Sequence, residues 1–252
     1  MSARAEPAIG LVLAGGQGTR MLAGKPGTPK PLVEVCGVPM LELALRHLAS
    51  AGLCEVHVAL RHDAARIQEF LVTLAPRLPA LSVHALVEDR PLGTIGAAHR
   101  LRDAGRTVLA VNADLVSAID LAQLLQHHRE HGAHLTVATH DEHHRLRLGE
   151  VVVDPGGRVL DYLEKPVKSY RISSGTYAIE PAVLALVERD EWLAFPTLVQ
   201  RALAAELVVR EDHHLEPWID VNEAGDLARA EELLASDPVA FGLDARSLAG
   251  RS

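Results

Sequence analysis

A glycine-rich turn directly after an apolar run is the feature that most constrains how this chain folds. Residues 9–13 read Ile-Gly-Leu-Val-Leu, the pattern of a strand that is buried on both faces of a parallel sheet. Residues 14–20 follow at once with Ala-Gly-Gly-Gln-Gly-Thr-Arg. Because glycine has no Cβ and tolerates positive φ, the backbone N–H groups of such a turn can approach an anion closely. The two segments predict a phosphate-binding loop at the end of a strand.

Two basic residues strengthen this prediction. Arg20 ends the glycine-rich turn, and Lys30 follows in the tetrapeptide Pro-Lys-Pro-Leu at residues 29–32. Both add positive charge at the same strand end, where it would attract a polyphosphate. The segment is not a Walker A loop, and it lacks the third glycine of the dinucleotide-binding fingerprint. We therefore expect a polyphosphate site of another kind.

Strand and helix patterns alternate through the first half of the chain. Predicted strands lie at 56–60, 81–87, 107–111 and 135–139, and predicted helices at 40–51, 67–74, 94–103 and 121–131. Strands that alternate with helices of this length imply parallel crossovers and a doubly wound α/β sheet. In such sheets ligands bind beyond the carboxyl ends of the strands, which is where the glycine-rich turn lies.

The second half of the chain has a different pattern. We predict a β-hairpin over 149–163, a strand at 170–179, helices at 181–187 and 195–204, a short strand at 207–210, and a helix at 222–235 with Asn222 as its N-cap. Residues 237–252 show no clear periodicity, which indicates a mobile or oligomer-contacting tail. A length of 252 residues suits one α/β domain or two small ones.

Two aspartates are candidate metal ligands. Asp114 follows the apolar run at 108–111, and Asp220 ends the segment at 217–220 just before a predicted helix. Either one alone would commonly be a cap for the turn that follows. Together, at strand ends in a chain with a polyphosphate loop, they predict a Mg²⁺ site, because Mg²⁺ prefers one or two carboxylates plus phosphate oxygens and water.

Composition excludes several other classes of protein. The net charge of −8 argues against a nucleic-acid partner. The two cysteines have no metal-type spacing, and no stretch approaches 18 apolar residues, so we expect a cytoplasmic protein with no membrane partner. Fourteen histidines include His140, His143 and His144 in a predicted polar loop, where solvated side chains are expected in preference to a zinc site.

Several segments resemble those of sugar-1-phosphate nucleotidylyltransferases, which join a nucleoside triphosphate to a sugar 1-phosphate and release pyrophosphate. The opening A-G-G-x-G-T-R-M and the P-K-P-L that follows it are similar to the start of that family. So are E-D-R-P-L-G-T at 88–94, V-N-A-D at 111–114, E-K-P at 164–166, S-G-T-Y at 174–177 and W-I-D at 218–220. The segments keep the family's order from residue 9 to about 235.

The resemblance implies a Rossmann-like doubly wound mixed sheet of the nucleotide-diphospho-sugar transferase type, with a β-rich sugar-binding half. It implies a single domain at 1–236, with a nucleotide-binding half at 1–120 and a sugar-phosphate-binding half at 121–236. The implied catalytic residues are Arg20, Lys30, Asp114 and Asp220, the two aspartates also holding Mg²⁺. The implied nucleotide-binding residues are Leu13, Ala14, Gly15, Gly16, Gly18, Thr19, Glu88, Gly93 and Asn112. The implied sugar-phosphate-binding residues are Gly149, Glu164, Lys165 and Ser174.

The chain departs from the family pattern at three places. Ala113 and Asn222 each replace a usual glycine, and Ser174 lies where Asn or Met is common. The first two changes are tolerable, since Asn adopts the left-handed region and caps helices. The third leaves the sugar contacts open.

Three alternatives to the main interpretation stay open. One is a thymidylyl- or uridylyltransferase acting on glucose 1-phosphate, and another is a molybdopterin or polyol-phosphate nucleotidylyltransferase. The last is a binding relative without catalysis, which we would expect to lack Arg20, Lys30 or one of the acids. Glu88 favours GTP, because an ionised carboxylate only accepts hydrogen bonds and guanine presents two adjacent donors. The alternative is that Glu88 is solvated at its strand end or pairs with Arg90, in which case backbone groups would read the base. The segment at 88–94 most resembles that of mannose- and heptose-1-phosphate guanylyltransferases, which implies mannose 1-phosphate or a manno-heptose 1-phosphate as the acceptor. Whether the protein forms a homo-oligomer stays open.

Overall fold

A computed structural model describes residues 8–15 and 27–243 of the chain. Its strands are β1 (Ile9–Leu13), β2 (Glu34–Val35), β3 (Val38–Pro39), β4 (Glu55–Leu60), β5 (Ser82–Val87), β6 (Val108–Asn112), β7 (Leu115–Ser117), β8 (Leu135–Arg145), β9 (Glu150–Val153), β10 (Val159–Leu163), β11 (Val167–Ile179), β12 (Val209–His213) and β13 (Trp218–Asp220). Its α-helices are α1 (Met40–Ser50), α2 (Ala64–Leu74), α3 (Leu121–Glu130), α4 (Pro181–Leu184), α5 (Phe195–Ala204) and α6 (Ala224–Ser236).

Seven strands form the central sheet in the order β12-β8-β11-β6-β1-β4-β5. β1 is parallel to both β4 and β6, and β5 continues the parallel set beyond β4. β11 is antiparallel to both of its neighbours, β6 and β8. The prediction of a doubly wound mixed sheet is therefore confirmed.

Helices cover both faces of this sheet, because successive side chains of a strand point to opposite faces. Val12 of β1 packs on the face that α1, α2 and α3 cover. Its neighbour Leu11 packs on the other face, against α4, α5 and a 3₁₀ segment at Gly96–Ala104. Both side chains are completely buried. The continuous apolar run of β1 thus contributes buried side chains to two hydrophobic cores, one on each face of the sheet.

A third hydrophobic cluster lies beside the sheet, where α6 packs against the short strand pairs β2–β3 and β7–β13. Its buried members include Val116, Ile219 and Val221, the last directly after β13. The start of the predicted tail belongs to it as well, since Phe241 and Leu243 are buried there. Residues 238–243 of the predicted mobile or oligomer-contacting tail thus pack on this cluster, and residues 244–252 lie outside the described part.

The second half carries a β-rich arm. β8 and β11 continue past the sheet as a two-stranded ribbon that pairs as far as Arg145 with Val167. The hairpin β9–β10 lies between them in sequence and pairs antiparallel, as predicted. Its apolar side chains are nevertheless exposed, among them Val151, Leu160 and Tyr162. The alternating pattern identified the strands correctly but not a buried face.

Two other predicted elements need correction. The helix expected at 94–103 is a 3₁₀ helix, Gly96–Ala104. The helix expected from Asn222 begins at Ala224, and Glu223 caps it in a capping box with Asp226. The side chain of Asn222 instead accepts a hydrogen bond from Lys30, which is why it cannot serve as the cap. Within the described residues, no helix is long and apolar enough to cross a membrane.

Candidate active site

Four neighbouring parallel strands end along one edge of the sheet and build a cleft there. In sheet order, the ends of β6, β1, β4 and β5 are followed by Asp114, Gly15, Arg61 and Glu88. The cleft has a volume of about 370 Å³. It is lined by Leu13, Gly15, Ala59, Arg61, Glu88, Pro91, Leu92, Gly93, Thr94, Asn112, Asp114 and Trp192.

Glu88 forms one end of the cleft and lies against the backbone of the glycine-rich turn. A Cβ on Gly15 would come within 2.9 Å of a carboxylate oxygen of Glu88, so a side chain at Gly15 would force this carboxylate to shift. The other carboxylate oxygen accepts a hydrogen bond from the N–H of Leu92 at 3.1 Å. The side chain is buried, with 6% of the residue exposed. Burial raises the pKa of Glu88.

A second segment, from the far half of the chain, closes the same end of the cleft. Gly93 adopts a φ of +74° and forms a parallel bridge with Leu193. The N–H of Leu193 donates to the carbonyl of Leu92 at 2.9 Å, and a Cβ on Gly93 would lie 2.5 Å from the Leu193 carbonyl oxygen. This pairing holds Trp192 at the cleft with 63% of its surface exposed. The sequence interpretation did not identify Trp192.

The two predicted metal ligands lie on paired segments beside the cleft: Asp114 lines it, and Asp220 lines a second pocket together with Trp218 and Asn222. β7 and β13 pair antiparallel with Leu115 opposite Asp220, and the N–H of Val221 donates to the carbonyl of Asp114 at 3.0 Å. Burial raises the pKa of Asp220, and the negative charge of Asp114 raises it further. The Oδ1 atom of Asp220 is buried and has no hydrogen-bond partner among the described residues.

Lys30, which was predicted to bind phosphate, lies against this acidic pair. Its Nζ donates to Oδ2 of Asp114 at 2.6 Å and to Oδ1 of Asn222 at 2.9 Å. Lys30 begins a short 3₁₀ segment, Lys30–Leu32, that precedes β2. Asn222 was expected as a helix cap and is instead a partner of this lysine. The structure thus brings three of the four predicted catalytic residues together.

The side chain of Asn112 lies against Gly175, a position that requires glycine. Gly175 has a φ of +70°, and a Cβ there would lie 2.6 Å from Nδ2 of Asn112. The Oδ1 atom of Asn112 is buried without a hydrogen-bond partner in the described residues. Asn112 therefore presents an unused acceptor beside the cleft, between the acidic pair and the glycine-rich turn.

Ser174, predicted to bind the sugar phosphate, is fully buried. Its hydroxyl lies 2.6 Å from Nε2 of His214 and 2.9 Å from Nδ1 of His140. Its carbonyl accepts a hydrogen bond from Nε1 of Trp218 at 2.7 Å, and the His140 ring lies against the Trp218 indole. In the structure these contacts support β13, which carries Asp220.

The other predicted sugar-phosphate residues lie on the arm. Glu164 and Lys165 are exposed in the turn between β10 and β11, where Nζ of Lys165 lies 3.7 Å from the Glu164 carboxylate. Gly149 precedes β9, and a side chain there would collide with the ring of Tyr162. The sugar-phosphate-binding roles of Gly149, Glu164 and Lys165 stay predictions. So do the single domain at 1–236 and its division into halves at 1–120 and 121–236. The loop predicted around His140, His143 and His144 is part of the strand β8, where His143 and His144 hydrogen bond to Ser169 and Glu142 respectively.

The remaining predicted residues belong to the glycine-rich turn. Leu13 and Gly15 line the cleft, and Ala14 is buried beside them with its N–H bonded to the Ala59 carbonyl at 3.1 Å. Four predicted residues lie outside the described part of the chain. These are Gly16, Gly18, Thr19 and Arg20.

Comparison with known proteins confirms the family resemblance. The nucleotidyl transferase family matches residues 9–236, and the chain belongs to this family. A mannose-1-phosphate guanylyltransferase catalytic subunit beta of Drosophila melanogaster is 28% identical over 235 residues, which cover 87% of this chain and 62% of the relative. Mannose-1-phosphate guanylyltransferase 1 of Arabidopsis thaliana is 30% identical over 229 residues, 86% of this chain and 62% of the relative. The chain thus spans less than two thirds of these relatives.

A solved structure supports the fold independently. HddC from Yersinia pseudotuberculosis superposes with a TM-score of 0.70 at 23% identity, covering 90% of this chain and all of that chain. At this identity the likeness concerns the fold alone. It agrees with the mixed sheet and the arm described above.

Proposed function

We propose that this protein is an enzyme that transfers a guanylyl group from GTP to a hexose or heptose 1-phosphate, forming a GDP-sugar and pyrophosphate. The observation that carries this proposal is the cluster of Lys30, Asp114 and Asp220, which adjoins a cleft that Asp114 and Glu88 both line. Lys30 supplies positive charge and the two aspartates could hold a divalent cation, so the cluster could bind the reacting phosphates. The Glu88 carboxylate only accepts hydrogen bonds, so it could bind a base that presents two donors. The names of the Drosophila and Arabidopsis relatives support mannose 1-phosphate as the acceptor.

The proposed reaction takes place directly between the two substrates and requires little covalent chemistry from the protein. An oxygen of the sugar phosphate attacks the α-phosphorus of GTP in line, a new P–O bond forms, and the bond to the β-phosphate oxygen breaks as pyrophosphate leaves. The attacking oxygen is already ionised, so no general base is needed. Lys30 and, by the family resemblance, Arg20 would stabilise the charge that develops on the phosphate oxygens.

The acidic pair fits a divalent cation. Asp220 has a buried carboxylate oxygen with no hydrogen-bond partner among the described residues, and Asp114 lies next to it. No cluster of three or more Asp, Glu, His or Cys side chains in the described residues is arranged for a metal, which suits an ion that takes its other ligands from phosphate and water. A bound Mg²⁺ would supply positive charge at the α-phosphate. Asp114 and Asp220 would hold it, and Lys30, whose Nζ donates to Oδ2 of Asp114, would orient that carboxylate.

The base preference rests on Glu88. Its carboxylate has acceptor capacity left after the single bond from Leu92, and a carboxylate offers acceptors only. Guanine presents N1–H and the 2-amino group side by side, and both can donate to it. Thymine and uracil present one donor between two carbonyls, and those carbonyls would be repelled. We therefore favour GTP over dTTP and UTP.

The test is a matrix of nucleoside triphosphates against sugar 1-phosphates, with pyrophosphate release as the measurement in the presence of Mg²⁺. GTP is expected to exceed dTTP, UTP and ATP in kcat/KM by at least roughly tenfold, the effect of one bidentate base contact. Mannose 1-phosphate and a manno-heptose 1-phosphate are expected to exceed glucose 1-phosphate. A preference for dTTP or UTP with glucose 1-phosphate would instead support the thymidylyl- or uridylyltransferase alternative.

A further inference from the structure

Arg61 occupies a position in the cleft that the function described so far does not use. It directly follows β4, as Glu88 directly follows β5, and the two strands are parallel with Leu60 opposite Val87. The N–H of Glu88 donates to the carbonyl of Leu60 at 2.8 Å, so the pairing continues to the point where both side chains leave the sheet. Arg61 and Glu88 are therefore neighbours on one edge, and both line the cleft.

The guanidinium of Arg61 has donors to spare. One nitrogen lies 2.8 Å from Nε2 of His62, and no carboxylate of the described residues lies within ion-pair distance of it. Arginine carries five N–H donors and no acceptor, in a fixed planar fork. Its positive charge acts on Glu88 together with that of Arg100, and both charges oppose the effect of burial on the pKa of that carboxyl. A base placed against Glu88 would also meet these donors.

The position of Arg61 in the sheet favours the base over the phosphates as its partner. β4 lies next to β5, which leads to Glu88, and two strands away from β6, which leads to Asp114. Adjacent strands are about 4.8 Å apart. A guanidinium at the end of β4 is thus one strand spacing from the base-reading carboxylate and two from the acidic cluster.

We propose that Arg61 is a specificity-determining residue that donates to O6 and N7 of guanine while Glu88 accepts from N1–H and the 2-amino group. The proposal rests on the proposed use of GTP. A donor group beside an acceptor group matches guanine, whose O6 acceptor adjoins its N1–H donor. Adenine reverses the order, because its 6-amino group would face the guanidinium and its N1 acceptor would face the carboxylate.

The test compares GTP with 7-deaza-GTP, which lacks the N7 acceptor and is otherwise the same nucleotide. In the wild type, kcat/KM is expected to be about tenfold lower for 7-deaza-GTP, the effect of losing one hydrogen bond from a charged donor. In Arg61→Gln, kcat/KM for GTP is expected to fall and the two nucleotides to become equivalent. Arg61→Lys keeps the charge without the fork and is expected to recover only part of the difference.

Arg102→Gln is the matched control, because Arg102 is exposed on the 3₁₀ segment and its charge lies near Asp103. It is expected to behave as the wild type toward both nucleotides, and thermal unfolding checks that each variant is folded. Equal use of GTP and 7-deaza-GTP by the wild type would overturn the proposal. An equal loss for GTP, 7-deaza-GTP and UTP in Arg61→Gln would overturn it too and would indicate a phosphate contact, with the use of GTP left intact. A wild type that prefers a pyrimidine nucleotide would overturn the proposed base together with Arg61's role.

Discussion

The N–H of Val221 donates a 3.0 Å hydrogen bond to the carbonyl oxygen of Asp114, which ties together the two segments that carry the acidic pair. The same segments pair through β7 and β13, and Val116 and Ile219 anchor both in the third hydrophobic cluster. Backbone pairing and apolar packing therefore hold the two carboxylates close together. Their mutual repulsion is a cost that the rest of the fold offsets.

The first prediction is that Asp220→Asn abolishes activity and stabilises the protein. Losing a hard oxygen ligand should reduce pyrophosphate release to a small fraction of the wild-type rate. Removing a buried negative charge beside Asp114 should raise the free energy of unfolding at neutral pH, on the order of 1 kcal/mol. Steady-state kinetics and thermal unfolding without Mg²⁺ measure the two effects.

The pH dependence of this stability difference follows from the raised pKa of Asp220. Below the ordinary pKa of an aspartate, the folded and unfolded wild type are both protonated there, so wild type and variant should differ little. As the pH rises through the raised folded-state pKa, the wild type loses stability because it then buries a charge. Asp103→Asn is the matched control, because that side chain is 95% exposed. A near-normal rate in Asp220→Asn, or a stability gain equal to that of the control, would contradict the assignment.

The second prediction concerns Lys30. Lys30→Ala should lower kcat by about 10²–10³, the usual effect of removing a charge aimed at developing phosphate charge. It also leaves Asp114 and Asn222 without their shared donor, so KM for Mg²⁺ should change as well. Arg129→Ala, an exposed change on α3, is the control. A kcat for Lys30→Ala within a few-fold of the wild-type value would refute the role.

The third prediction concerns Glu88. Glu88→Gln replaces one acceptor with a donor, so the ratio of kcat/KM for GTP to that for UTP should fall about tenfold. In the wild type, that ratio should also fall as the pH drops through the raised pKa of Glu88, because a protonated carboxyl donates where guanine donates. Glu69→Gln, an exposed change on α2, should leave the ratio unchanged. An unchanged ratio in Glu88→Gln would mean that the base is read elsewhere.

The apolar runs in the sequence predicted those site residues that follow regular strands. Asp114 and Glu88 come directly after apolar runs, and parallel strands bring their ends to one edge, so their place in a cleft follows from topology. Arg61 carried the same signal, since it directly follows the apolar strand β4. It was missed because no family motif surrounds it.

Other features depend on contacts between distant segments, and no local pattern contains them. Trp192 reaches the cleft only through the bridge between Gly93 and Leu193. The hydroxyl of Ser174 is taken up by His140 and His214, which belong to two other strands or their ends. Alternation in the hairpin β9–β10 predicted strands, but burial depends on what covers a strand.

The fourth prediction concerns Gly175, where a side chain would cost stability in two ways. It would be strained by the positive φ, and it would collide with Asn112. Gly132→Ala imposes a positive φ of 57° on alanine in open space, and should destabilise the fold by about 1 kcal/mol. Gly175→Ala imposes a similar φ and also a 2.6 Å approach to Nδ2 of Asn112, so its cost should reach about 2–4 kcal/mol. Denaturant unfolding measures both. Only Gly175→Ala should raise KM for the nucleotide, because it displaces Asn112. Equal stability losses and an unchanged KM would show that Asn112 does not hold this position.

The last prediction concerns Trp192, whose indole is exposed at the cleft. A bound base should cover this ring, and a base stacked on an aromatic side chain gains about 1–3 kcal/mol. GTP should therefore change the intrinsic fluorescence of the wild type in a saturable way. The other tryptophan, Trp218, donates to the Ser174 carbonyl beside β13 and should contribute little to this change. Trp192→Phe should lose the fluorescence change but keep a KM for GTP within a few-fold of the wild type, because phenylalanine retains a flat ring. Trp192→Ala should raise that KM about tenfold or more. The same fluorescence change in Trp192→Phe, or an unchanged KM in Trp192→Ala, would mean that the base lies away from this wall of the cleft.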